Sequence, residues 1–245
     1  MRNIKLTIQY DGSLFYGWQY QNSLPSVQGE IMDALEKLFF EEVKLMGAGR
    51  TDVGVHAMAQ VAHFKTNKNH PLKQIVSGLN HYLSPGVQIT KAEEMEDDFH
   101  SRFSAKSKTY RYYLRRERYL HPMYRNYRGH WYGFLDVEKM KEGAEILLGT
   151  HDFSSFQTQK EETINPVRTL DVLTITEDKN EIIFEFQGES FLHNMVRTIV
   201  GSLLEIGKGK KDVDWLEEVL DKKDRQSAGP AVAAGGLYLW EIKYE

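Results

Sequence analysis

The chain has 245 residues, 41% of them hydrophobic, with a net charge of −4 and no cysteine. That is enough chain for one large domain or two packed smaller ones, and the charge argues against a wholly basic nucleic-acid binder. Without cysteine there can be no disulfide, thiolate metal site or cysteine nucleophile, and no run reaches the ~18 apolar residues of a membrane span.

The opening residues MRNIKLTIQY alternate polar and apolar side chains, unlike the unbroken apolar core of a signal peptide. A soluble, cytoplasmic protein is expected. Ile4, Leu6, Ile8 and Tyr10 mark a half-buried strand ending at Asp11-Gly12. After Pro25-Ser26, the residues Val27, Ile31, Leu35, Leu38 and Phe39 recur at helical spacing, with Ser26 as N-cap. A short strand, VKLMG, leads into a glycine-rich loop, and QVAHFKT is the strand that leaves it. Pro71 opens a second helix carrying Leu72, Ile75, Val76, Leu79 and Leu83, and VQITKAEEM follows as a strand.

The second half also mixes strands and helices. KTYRYYLRR is predicted as a strand, and VEKMKEGAEILLG as a helix stopped near Gly149. LDVLTITED and EIIFEFQG form a hairpin around Lys179-Asn180. FLHNMVRTIVGSLLEIG has apolar residues on much of its circumference and is predicted as one long buried helix. DWLEEVLDKK is a shorter amphipathic helix, and GLYLWEIKY a closing strand. The break between halves falls near residues 100 to 108, giving an α+β protein of two parts, 1–105 and 106–245.

Two stretches carry candidate chemistry. Between Arg102 and Arg128 lie nine basic residues and one acid, Glu117, interleaved with Phe103, Tyr110, Tyr112, Tyr113, Tyr119, Tyr124 and Tyr127. This pattern suits a polyanion with stackable bases, or equally an exposed basic strand over packed tyrosines. The other stretch is GAGRTDVGVHA, residues 47 to 57, where three glycines crowd an Arg-Thr-Asp core. It lacks the Gly-Lys-Ser/Thr end of a phosphate loop, and Asp52 replaces the third glycine of a dinucleotide fingerprint. Asp52, His56 and His63 lack the close spacing of metal ligands, so no metal is expected, and no Gly-x-Ser-x-Gly elbow occurs. Two readings stay open. Asp52 is a covalent nucleophile with Arg50 as a substrate contact, or Arg50 and Asp52 pair to fix a turn.

GRTDVGVHA resembles the signature of the tRNA pseudouridine synthase A family, whose aspartate is the catalytic nucleophile. YDGSLFYGWQYQ, FSAKSKTYRYYL, FLHNMVRTIVGSLLEIGKG and GLYLWEIKYE also resemble family segments and occur in family order over nearly the whole chain. Two positions depart. Val53 stands where the family usually has alanine, and AGPAVAAGG lacks the paired prolines often found before the last strand.

The resemblance implies two ferredoxin-like βα halves forming a central, mainly antiparallel sheet flanked by helices, with the active-site cleft between them. It implies conversion of uridine to pseudouridine in the anticodon stem-loop of tRNAs, at tRNA positions 38, 39 and 40, with no cofactor and no metal. The partner is tRNA, bound across both subunits of a homodimer. By the same resemblance Asp52 is the nucleophile and Arg197 sits beside it. Tyr110 stacks on the flipped uracil and could also help remove the C5 proton, and Arg50 enters the RNA. Arg197 follows Met195 and Val196 and precedes Ile199 and Val200, so its head group needs a partner in apolar surroundings. Thr51 and His56 are expected to shape the loop, and Lys108, Arg111, Arg115 and Arg116 to contact phosphates. A binding-only protein on the same scaffold would leave Asp52 idle.

Overall fold

A computed structural model describes residues 1–158 and 165–245 of the chain. It is an α+β structure whose strands pair mostly antiparallel, with helices flanking them. The chain divides into two compact units, Met1–Lys106 with Tyr238–Glu245, and Ser107–Leu237.

The first unit runs β1 (Arg2–Tyr10), α1 (Val27–Phe39), β2 (Met46–Gly47), β3 (His56–Thr66), α2 (Leu72–Tyr82) and β4 (Val87–Met95). β1 pairs antiparallel with both β3 and β4, and β2 pairs antiparallel with β3. The resulting order β4-β1-β3-β2 is that of a βαββαβ, ferredoxin-like sheet. Period-two alternation sends Ile4, Leu6, Ile8 and Tyr10 to the buried face of β1. Ile31, Leu35 and Phe39 of α1 and Ile75 and Leu79 of α2 complete that core, where Phe39 meets Phe64 with ring centroids 5.6 Å apart. Ser26 caps α1 by accepting from the Gly29 N–H at 3.3 Å.

The second unit holds β5 (Ser107–Arg116), β6 (Gly129–Trp131), α3 (Val137–Ile146), β7 (Gly149–Asp152), β8 (Val167–Leu170), β9 (Val172–Asp178), β10 (Glu181–Gly188), α4 (Met195–Gly207) and α5 (Trp215–Lys222). β10 lies antiparallel between β5 and β9, β6 runs parallel to β5, and β7 and β8 pair separately. Here the ferredoxin-like pattern is looser, with the β7–β8 pair inserted after the first helix. The pairs Tyr112↔Phe184 and Leu114↔Ile182 turn one face of the sheet into core, and α4 packs on α3 close enough for Gly143 to lie against Leu203 and Ile206. Finally β11 (Leu237–Lys243) returns to the first unit, where Tyr238 and Leu239 run parallel to His56 and Ala57 of β3.

Several predicted boundaries shift; the strand QVAHFKT, for one, already begins at His56. The strand VKLMG pairs only at Met46–Gly47, because β3 offers it only His63 and Ala62 as partners. The strand LDVLTITED divides at Asp171, with Leu170 in the β7–β8 pair and Val172 onward in the main sheet. The long helix expected from Phe191 begins only at Met195. Asn194 adopts a left-handed backbone (φ 59°), which a right-handed helix cannot propagate through.

Candidate active site

The glycine-rich loop is braced rather than loose. Asp52 opens a tight turn in which the Val55 N–H donates to the Asp52 carbonyl at 3.1 Å, with Gly54 at φ +80°. From one side the Trp18 N–H donates to the Thr51 carbonyl at 3.1 Å, and from another Thr51 Oγ1 shares a 2.7 Å bond with the buried Tyr10 hydroxyl. Burial also pushes the Tyr10 phenol far up from its ordinary pKa, so it stays neutral and bonded. At the loop's base Gln60 donates to the Gly49 carbonyl at 3.1 Å. Glycine is required where backbones nearly touch: a Cβ on Gly12 would lie 2.0 Å from the Val55 carbonyl oxygen.

His56 belongs to this bracing. It is buried, its Nδ1 accepts from the Gly12 N–H at 3.1 Å, and its ring stacks on Tyr238 at 4.7 Å. Asp11 Oδ1 also lies 3.3 Å from that Nδ1. The loop therefore fixes Asp52, half-buried, at the head of a rigid turn. Arg50 is exposed, and its Nε donates to Gln19 Oε1 at 3.1 Å. Val53 is exposed, so its side chain has little to pack against.

In the second unit Tyr110 occupies β5 opposite Phe186, half-buried on the face that carries Tyr112 and Leu114. Phe191 and Tyr110 meet in a T-shaped pair, with centroids 5.1 Å apart and planes at 79°, a favourable aromatic geometry. Arg197 rises from α4. Its Nε donates to the Val232 carbonyl at 2.8 Å and its Nη1 to Asn194 Oδ1 at 2.5 Å. Burial drives the Tyr112 phenol upward in pKa, and the nearby Arg197 charge partly opposes that shift. The segment AGPAVAAGG, which holds Val232, crosses α4 in direct contact, and a Cβ on Gly201 would lie 1.7 Å from the Pro230 carbonyl oxygen.

The basic stretch is less free than its composition implied. Arg111 pairs with Glu185 at 2.5 Å, Arg115 with Glu117 at 3.3 Å, Arg128 with Glu181 at 2.6 Å, and Arg116 with Glu177. Three of these carboxylates sit on β9 and β10, far along the chain, so the local charge count could not include them. Arg118 and Arg125, in the turn after β5, are exposed. Sequence reasoning also passed over Gln19, Phe191, Asn194 and Val232 as supports of Arg50, Tyr110 and Arg197. Phe191 and Asn194 lay inside a segment whose apolar periodicity read as helix. Among the described residues no group of three or more His, Asp or Glu side chains could hold a metal ion. Among those residues no helix is long and apolar enough to cross a membrane.

Sequence comparison settles the family. The tRNA pseudouridine synthase profile matches residues 6–104 and 144–245. A Finegoldia magna protein named tRNA pseudouridine synthase A is 50% identical over 244 residues, covering all of both chains. The chain belongs to the tRNA pseudouridine synthase family. A Thermoanaerobacter relative of the same name is 42% identical, and so is a Clostridium perfringens relative named tRNA pseudouridine synthase A 2; both align over 100% of each chain. Membership makes the chain an isomerase acting on uridine in tRNA.

Proposed function

We propose that this protein converts uridine to pseudouridine in the anticodon stem-loop of tRNA, at tRNA positions 38, 39 and 40, using Asp52 as the nucleophile. The observation that carries this reading is the half-buried carboxylate at the head of a turn braced from Tyr10, Gly12, Trp18 and Gln60, within a full-length family match. The reaction breaks the bond from ribose C1′ to uracil N1, turns the base, and rejoins it to C1′ through C5; C5 loses its proton and N1 gains one. Uridine and pseudouridine are isomers, so no redox partner, group donor or metal is needed to balance the step.

Each remaining site residue has a role fitted to its chemistry. Tyr110 stacks on the extruded base, a contact worth about 1–3 kcal/mol. Arg50, exposed and anchored through Nε to Gln19, enters the RNA and meets phosphate or fills the space the base leaves. Arg197 binds the substrate nucleotide from α4. Extruding the base costs a few kcal/mol, which contacts of this kind must supply. The working form is a cytoplasmic homodimer with one tRNA lying across both subunits, which joins two basic surfaces despite the chain's net charge of −4.

The test is to incubate purified protein with unmodified tRNA transcripts and map pseudouridine by carbodiimide labelling and primer extension, with Asp52→Ala in parallel. New stops in the anticodon stem-loop with the unaltered protein alone are expected. Stops from neither protein would favour a binding-only role, and stops elsewhere would move the target.

A further inference from the structure

Asn194 occupies the position that caps α4, yet it makes no capping bond from its side chain. An asparagine at a helix start ordinarily accepts from a backbone N–H two or three residues on. Here the amide is committed elsewhere. Its Oδ1 accepts from Arg197 Nη1 at 2.5 Å, and its Nδ2 donates to Thr158 Oγ1 at 2.7 Å. Arginine has only donors, so the oxygen must be the atom that faces it, and the amide's orientation follows from both ends. Thr158 is held in turn by a 2.7 Å bond to His193 Nδ1.

The backbone agrees with this assignment. Asn194 stands at φ 59°, ψ 7°, a left-handed conformation that asparagine tolerates better than most residues. From there its side chain reaches Arg197 one turn along the helix, while Val232 takes the guanidinium Nε at 2.8 Å. Two acceptors at different nitrogens define the plane of a rigid, fork-shaped group, which one acceptor cannot do.

We propose that Asn194 is a positioning residue for the reaction, fixing the plane in which Arg197 meets the substrate nucleotide. The assignment rests on the reading of Arg197 as a substrate-binding residue. Asn194 acts through Arg197 and touches neither the base nor the sugar itself.

Two variants test it. Asn194→Gly keeps the left-handed backbone and removes the amide; with no capping bond to lose, its two side-chain bonds should cost no more than about a few degrees of thermal midpoint. Asn194→Asp keeps an oxygen facing Arg197. The expected result is a fall in single-turnover rate on the order of 10- to 100-fold for Asn194→Gly, as for other small misplacements of binding groups. Affinity for tRNA should hold, because phosphate contacts dominate it, and Asn194→Asp should recover most of the rate. Wild-type turnover by Asn194→Gly would overturn the assignment. So would equal impairment of both variants, or a thermal midpoint that falls in step with the rate. An unaltered protein that forms no pseudouridine would take down the underlying reading as well, whereas an active protein indifferent to Asn194→Gly loses the positioning role alone.

Discussion

Asp52 and Tyr110 owe their fixed placement to neighbours that are themselves fixed. Tyr10, Trp18 and Gln60 define the turn around Asp52, and Phe191 meets the Tyr110 ring in a T-shaped pair. Under the proposed function Tyr110 acts by stacking, which needs only its ring. Tyr110→Phe should therefore keep tRNA turnover within about threefold, while Tyr110→Ala should lose about 1–3 kcal/mol of transition-state stabilisation. Single-turnover rates of the two variants check this; an inactive Tyr110→Phe would assign the hydroxyl a chemical step. At this scale the sequence pointed to the candidate side chains, because GRTDVGVHA and HNMVR are short and distinctive. It hid the supports, since the partners of Thr51 and Arg50 are Tyr10 and Gln19, thirty or more positions away.

Secondary elements were legible wherever period and punctuation agreed, as in α1, with Ser26 before it and Phe39 at its end, and in the hairpin turning at Lys179-Asn180. They were misread where one residue's backbone overruled its neighbours, and Asn194 cut four residues from the start of α4. Two substitutions probe such positions by chemical denaturation. Phe40 ends α1 at φ 54° with its ring 89% exposed, so the left-handed strain has no compensating burial. Phe40→Gly should stabilise the protein by about 1 kcal/mol. Gly201→Ala should destabilise it by about 1–3 kcal/mol, because Pro230 leaves no room for a methyl group and α4 or the crossing segment must shift. Unchanged stability in Gly201→Ala would mean that the segment is free to move and does not hold Val232 against Arg197.

Across the whole molecule, chain ends and charges that look separate in sequence prove linked. The last residues join the first unit: the Lys106 N–H donates to the Lys243 carbonyl at 2.8 Å, and the Tyr244 hydroxyl to that of Ser101 at 2.8 Å. Neither a period nor a composition shift signals this return. Ser101 also meets buried His63, whose Nδ1 accepts from the Ser101 N–H at 3.2 Å. Burial first, then the charges of His100 and Lys65, lower the His63 pKa to about 4. The unfolded chain, with histidine near 6.5, binds the extra proton between those values. Stability from His63 is thus fully present above about pH 6.5 and is lost as pH falls toward 4, by at most about 3 kcal/mol. Thermal midpoints measured against pH should drop less steeply over that window in His63→Gln than in the unaltered protein. Parallel curves would contradict the assignment. Distant partners also govern the basic stretch, where carboxylates of β9 and β10 pair with Arg111 and Arg116 of β5 and with Arg128 before β6, so RNA affinity must draw on cations those pairs leave available.

The most direct measurement is the single-turnover rate of pseudouridine formation by Asp52→Asn on an unmodified tRNA transcript, beside its tRNA affinity. An uncharged amide of the same shape should fill the braced turn and leave binding within a few-fold, while the rate falls by several orders of magnitude. Pseudouridine formed at the wild-type rate by Asp52→Asn would contradict the account.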